Sequence, residues 1–176
     1  PGWDGPAPPD AHVSPVFALD KIPSGGTVGV KVFGRRIDAT NNYAATVTLN
    51  ADRSVSLNLN RTVGGVTTVL ATGRVAGLTA APGASLQARL QVTGTSPTTL
   101  RARVWAIGGT EPSTWQLVAT DSTSALQNSG QSGLMVHLAA GVTNTPIALT
   151  YSSFVAKPTV ANPSPLAAFT SSCTQL

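Results

Sequence analysis

LQARLQVTGTSPTTLRARVWA, residues 86 to 106, decides the fold. Leu86, Ala88, Leu90 and Val92 alternate with Gln87, Arg89, Gln91 and Thr93. Beyond Gly94-Thr95-Ser96-Pro97, Leu100, Ala102, Val104 and Ala106 alternate with Arg101, Arg103, Trp105 and Ile107. A period of two sends successive side chains to opposite faces of a strand, and the Gly/Pro turn joins the two strands as a hairpin. One face is apolar and belongs to a core. The other carries Arg101, Arg103 and Trp105, and keeping both apolar rows together brings Arg89 near Arg101 or Arg103. Like charges paired across a hairpin destabilise it, and burying them without partners is far worse. This face is therefore expected to meet water or an anionic ligand.

The same alternation extends outward. Tyr43, Ala45, Val47 and Leu49 form one row, and after Ala51-Asp52-Arg53 the row resumes in Val55, Leu57 and Leu59 against Ser54, Ser56, Asn58 and Asn60. A third run, Val66 to Val75, follows Gly64-Gly65, so three antiparallel strands make a meander. Further strands are expected at about residues 12–20, 26–36, 114–120, 132–139 and 145–156. One helical turn is expected near 121–128, with Asp121 as N-cap and an end near Gly130. Roughly ten short strands with regularly spaced turns predict an all-β, antiparallel β-sandwich of the jelly-roll kind. The chain divides into an irregular lead-in (1–11), the sandwich (12–156), a linker (157–165) and a short segment (166–176) that reads as the first strand of another domain.

The 176 residues suit one such domain. Charged residues are 10% of the chain, against about 25% in an average globular protein. Threonine, serine, valine, alanine and glycine fill the gap, which suits strands with uncharged polar outer faces. The net charge is +4, but the basic residues are scattered and Arg35-Arg36 is the only adjacent pair, so no nucleic-acid partner is expected. No run of about 18 apolar residues is present, so no membrane insertion is expected either. The opening Pro1-Gly2-Trp3, without a signal-peptide pattern, is expected of a mature or excised segment. Cys173 is the single cysteine and has no intrachain disulfide partner.

The run LQARLQVTGTSPTTLRARVWAIGGTEPSTWQLVATDSTSALQNSGQSGLMVHL, with FALDKIPSGGTVGVKVFGRR and NNYAATVTLNADRSVSLNLNR before it, resembles laminin-G-like, concanavalin-A-like jelly-roll modules. Such modules occur in secreted multidomain proteins of high-GC Gram-positive bacteria and in phage tail proteins. The tail NPSPLAAFTSSCTQL resembles the start of a PKD-type immunoglobulin-like domain, in which a second cysteine usually follows. The resemblance implies a secreted or extracellular location, on a cell surface or virion. It also implies an earlier Asp- and Trp-containing strand, which here is missing or supplied elsewhere, leaving a sheet edge open to a neighbouring domain or to self-assembly. The family's structural calcium would draw on acids in the last strand. Here that strand reads Tyr151-Ser152-Ser153-Phe154, so no metal and no cofactor is expected.

Catalysis is not expected. Most glycoside hydrolases use two carboxylates roughly 5 to 10 Å apart, and the only glutamate, Glu111, lies in the loop GGTEPS. Asp52 and Asp121 read as a turn former and a helix cap, and Asp38 shares a loop with Asn41 and Asn42. No G-x-S-x-G elbow occurs. His137, with Met135 on its face, reads as a partly buried sheet histidine. The remaining case is carbohydrate binding, in which aromatic faces stack on sugar rings and polar groups fix the hydroxyls. Its candidate residues are Trp105, Trp115, Tyr43, Asn41, Asn42, Arg35 and His137. The expected partner is a polysaccharide or cell-surface glycan. The alternative is a structural unit of a fibre, appendage or phage tail, and the third reading is a glycan-active enzyme domain.

Overall fold

The computed structural model describes residues 10–159. The lead-in up to residue 9, most of the linker, the segment 166–176 and Cys173 lie outside the described residues. Ten strands run in chain order: β1 Ala11–Leu19, β2 Thr27–Arg36, β3 Asn42–Asn50, β4 Ser54–Val63, β5 Val66–Thr79, β6 Leu86–Thr93, β7 Thr98–Ala106, β8 Leu117–Asp121, β9 Gln131–Leu138 and β10 Leu149–Pro158. They form two five-stranded sheets. Sheet I has the order β10-β1-β6-β7-β8 and sheet II the order β5-β4-β3-β2-β9. Every pairing is antiparallel. Chain segments cross between the sheets four times, after β1, β5, β8 and β9, which is how an antiparallel sandwich closes over one core.

The alternation seen in sequence sets which face is inside. Val28, Val30, Val32, Tyr43, Ala45, Val47, Leu49, Val55, Leu57 and Leu59 from sheet II meet Val13, Phe17, Leu86, Leu90, Val92, Leu100 and Val104 from sheet I. Burying a leucine or valine completely contributes about 1.5–3 kcal/mol, so a one-residue slip in any of these strands would exchange its core row for its solvent row. The hairpin that opened the reading pairs Leu90 with Ala102 and Arg89 directly with Arg103. Thr98 and Thr99 extend β7 to nine residues.

Three expectations change. The helical turn is a 3₁₀ segment of three residues, Ser124–Leu126, whose N-cap position is Thr123. Asp121 ends β8 instead, and its Oδ1 accepts from the Thr123 N–H at 2.9 Å. An aspartate bonded to the backbone two residues on is a turn former, and the chain here is too short to give it a helix to cap. The sandwich runs past residue 156, since Pro158 still pairs with Ala11. The N-terminal strand is also not an edge, because β1 lies between β10 and β6. The free edge of sheet I on that side is β10, where Tyr151 and Phe154 remain 39% and 43% exposed.

Candidate functional site

The outer face of sheet II presents a set of uncharged polar groups on one regular surface. It is built by the residues that alternate with the core rows. The strand register places His137, Gly29, Thr48 and Ser56 in one cross-strand row, then Met135, Lys31, Thr46 and Asn58. Two further rows hold Gly133, Phe33, Ala44 and Asn60, then Gln131, Arg36, Asn42 and Thr62. On β5, Thr67, Thr72 and Arg74 extend the face. Hydroxyl and amide groups bond each other across the strands: Asn60 Nδ2 donates to Thr46 Oγ1 at 2.9 Å, and the hydroxyls of Thr62 and Thr67 lie 3.0 Å apart. Among the described residues, no acidic side chain belongs to these rows.

Two cations shape this face. Lys31 Nζ lies 5.1 Å from the centre of the Phe33 ring, and Arg36 Cζ lies 5.3 Å from the same ring. Phe33 is itself buried although it points away from the core. The cationic side chains thus cover an aromatic ring, a contact worth about 0.5–1 kcal/mol at an exposed site. Lys31 Nζ also reaches across β3 to Thr62 Oγ1 at 3.4 Å. Burial, and then the neighbouring Arg36 charge, pull the Lys31 pKa below its ordinary value.

Of the residues nominated from sequence, only His137 and Asn42 lie on this surface, in different rows. Arg35 is completely buried. Its guanidinium donates to Thr98 Oγ1, the Leu126 carbonyl and the Gly94 carbonyl at 2.9, 3.2 and 3.0 Å, with Asp10 at 3.7 Å. It closes one end of the core. Tyr43 is buried too, and its hydroxyl donates to Asp121 Oδ1 at 2.6 Å and accepts from Gln127 Nε2 at 3.2 Å. Burial, and then the Asp121 carboxylate, raise the Tyr43 pKa far above that of a free phenol. Burial alone would raise the Asp121 pKa, but hydrogen bonds from Thr123, Tyr43 and Arg61 prevail and hold it down. Asn41 braces loops: its Nδ2 donates to Asp38 and its Oδ1 accepts from the Gly64 N–H. Asn42 lies on the outer face of sheet II but is buried, and its Oδ1 has no hydrogen-bond partner among the described residues.

His137 is exposed rather than partly buried, because it stands on edge strand β9. Its imidazole lies where a side chain on Gly29 would be: a Cβ there would sit 2.1 Å from His137 Cε1. The glycine lets the ring lie flat on sheet II.

Trp105 and Trp115 sit on the outer face of sheet I, and here the expectation of water or an external anion is overturned for Arg89 and Arg103. The loop between β7 and β8 folds over that face and brings Glu111 to both arginines. Glu111 Oε1 is 2.9 Å from Arg89 Nη1 and 2.5 Å from Arg103 Nη2. Arg103 Nη1 also donates to the Pro112 carbonyl. The same guanidinium stacks on Trp115 at 4.4 Å, and Arg89 lies 5.7 Å from the Trp105 ring. Trp105 is only 8% exposed. The anion that this face calls for is thus supplied by the chain itself.

The other carboxylates among the described residues are engaged by hydrogen bonds. Asp10 accepts from the Gly94 N–H, Asp20 from the Ala148 N–H, Asp38 from Thr40 and Asn41, and Asp52 from Ser54. Those hydrogen bonds, from Asn41 first and then Thr40, lower the Asp38 pKa to about 2. Among the described residues no three His, Cys, Asp or Glu side chains are grouped to hold a metal ion. Calcium of the kind the family resemblance implies does not fit residues 151–154, which offer hydroxyl and aromatic side chains and no carboxylate.

No family model matches the sequence, so neither the laminin-G-like nor the PKD resemblance has a matching model behind it. No curated protein matches it either. Solved structures do align. A carbohydrate-binding module CBM66 from Bacillus subtilis is 12% identical, with 84% of this chain and 74% of that chain covered and a TM-score of 0.48. A xylan β-1,4-xylosidase from Bacillus halodurans C-125 is 16% identical with a TM-score of 0.46. The GH43 protein BlXynB from Bacillus licheniformis is 12% identical with a TM-score of 0.49. This chain spans 27% of each of the last two, with 84% of itself covered. At such identities the ligands of those proteins say nothing of this one.

Proposed function

We propose that this domain is a non-catalytic carbohydrate-binding module of the laminin-G-like, concanavalin-A-like kind, acting outside the cell on a polysaccharide or cell-surface glycan. The observation that carries the reading is the outer face of sheet II, where Thr48, Ser56, Asn58 and Thr67 reach solvent over a buried layer of Asn42, Thr46, Asn60 and Thr62, with no acid among its rows. A sugar presents many hydroxyls that both donate and accept, and such a lawn matches them without the desolvation cost of buried charge. The carboxylates tied into turns and ion pairs favour binding over hydrolysis, since a general acid or base must be free to exchange a proton with substrate.

A glycan-array screen with light scattering on the same sample tests it. Binding to one glycan class should weaken in a folded Asn58→Ala/Thr72→Ala variant and persist in Gln91→Ala on sheet I. A folded monomer that binds no glycan, or binding indifferent to sheet II, overturns the reading. A second reading, assembly as a fibre or appendage unit, is favoured by β10, whose free edge exposes Tyr151, Phe154 and Val155. A stable oligomer without glycan affinity would support that reading instead.

A further inference from the structure

Two pairs of cations on the outer faces are balanced differently, while Arg101 on sheet I lies 3.4 Å from Gln91 Oε1 and from Thr93 Oγ1 and has no carboxylate partner among the described residues. Arg89 and Arg103 share Glu111, Arg61 is 2.7 Å from Asp121, and Arg35 and Arg74 each have an aspartate within 4 Å. Lys31 and Arg36 have no carboxylate partner among the described residues, yet both are held against the Phe33 ring. Arg36 also donates through Nε to the Asp38 carbonyl at 3.3 Å, which anchors it without neutralising it. The Asp38 carboxylate is turned to Thr40 and Asn41. Two like charges braced on one ring repel unless an anion joins them.

We propose that Lys31 and Arg36, with Thr62 beside them, form an anion-binding subsite on sheet II that takes the carboxylate or sulfate of an acidic polysaccharide. The inference rests on the carbohydrate-binding reading and narrows its ligand class. Arg36 offers planar donors suited to a carboxylate or sulfate oxygen pair, and Lys31 supplies a point charge. The surrounding hydroxyl and amide side chains would serve the neutral part of the sugar chain.

Affinity electrophoresis of the folded chain through gels containing polygalacturonate, chondroitin sulfate or neutral xylan tests the subsite. The variant is Lys31→Met/Arg36→Met, which keeps the aliphatic cover on Phe33, with Arg101→Gln as a sheet I control. Retardation by an acidic polymer should exceed that by xylan at least tenfold, decline with added salt and be lost in the double variant alone. Whether polygalacturonate or chondroitin sulfate is retained identifies the carboxylate or the sulfate as the ligand group. Equal retardation by acidic and neutral polymers, unchanged in the double variant, overturns the subsite and leaves the carbohydrate reading standing. Retardation by no polymer, with unfolding curves that show both proteins folded, overturns both. If the double variant does not fold, Lys31→Gln and Arg36→Gln singly carry the same test, and unchanged acidic binding in both overturns the subsite.

Discussion

The two outer faces of the sandwich carry similar basic side chains and treat them in opposite ways. On sheet I, Arg89 and Arg103 face each other across a hairpin, and a loop folds back to place Glu111 between them. On sheet II, Lys31 and Arg36 flank Phe33 with no acid in reach among the described residues. A basic strand face is thus not by itself a ligand site. What matters is whether the chain carries its own counter-ion, and that is decided by a loop far from the strand in pattern.

The sharpest way to break this contrast is to remove the counter-ion. Glu111→Gln leaves two facing guanidiniums, 25% and 13% exposed, without their shared carboxylate. Breaking a fully buried pair costs about 3–5 kcal/mol, and partial exposure here should reduce that to about 2 kcal/mol. Urea unfolding reads it, and an unchanged midpoint would show that Glu111 does not neutralise this face. The same variant should gain affinity for sulfated polymers on sheet I, since the face then lacks its internal anion.

Acid titration should show two limbs. His12 stands on β1 between Lys157 of β10 and Gln91 of β6, and its pKa lies below its usual value, chiefly through burial and then through Arg89. Its unfolded form therefore takes up a proton first, and stability falls as the pH drops below about 6.5. The Asp121 pKa is also held low, so the stability it contributes is full above about 4 and is lost as the pH falls further. His12→Gln should remove the upper limb, and Asp121→Asn should flatten the lower one and lower stability at pH 7. Equal curves for the parent and both variants would contradict these placements.

Gly29→Ala sharpens the picture of sheet II. The new Cβ must displace the His137 ring, which is the end of a flexible side chain on an edge strand, so the stability loss should stay below about 1 kcal/mol. The His137 ring resonances in an NMR spectrum should nevertheless shift. A ring signal that does not move would show that His137 does not lie on Gly29. Arg74→Ala should have the smallest effect, no detectable change in the unfolding midpoint, because its pairing with Asp52 at 3.8 Å is exposed on both sides.

Alternation in the sequence was sufficient to place nearly every strand, because a row such as Leu86, Ala88, Leu90 and Val92 can only be buried in one way. The placing of Arg89 against Arg101 or Arg103, which the register settles as Arg103, and the turn role of Asp52 were legible for the same local reason. The binding candidates were less so. Tyr43, Asn42, Asn41 and Arg35 are neighbours in sequence, yet Tyr43 enters the core, Asn42 the opposite face, and Asn41 a loop. Chain proximity does not survive a strand's period of two. The polar row Ser56, Asn58 and Asn60 was visible, and it was the one available sign of the sheet II face. Lys31, Phe33 and Arg36 were not singled out, since a register shift between Phe33 and Arg35 brings residues 33 and 36 to one face. A bulge of that kind has no reliable local signature.

Local periodicity by itself therefore determined the all-β class, the strands and which rows are buried, since those depend on the chain's nearest neighbours and on water. Only the tertiary structure decided that Glu111 closes the arginine face, that Arg35 and Tyr43 are internal, and that Lys31 and Arg36 stand together uncompensated. Electrostatic balance depends on distances of a few ångströms between residues far apart in the chain, and only the packed sandwich sets those distances.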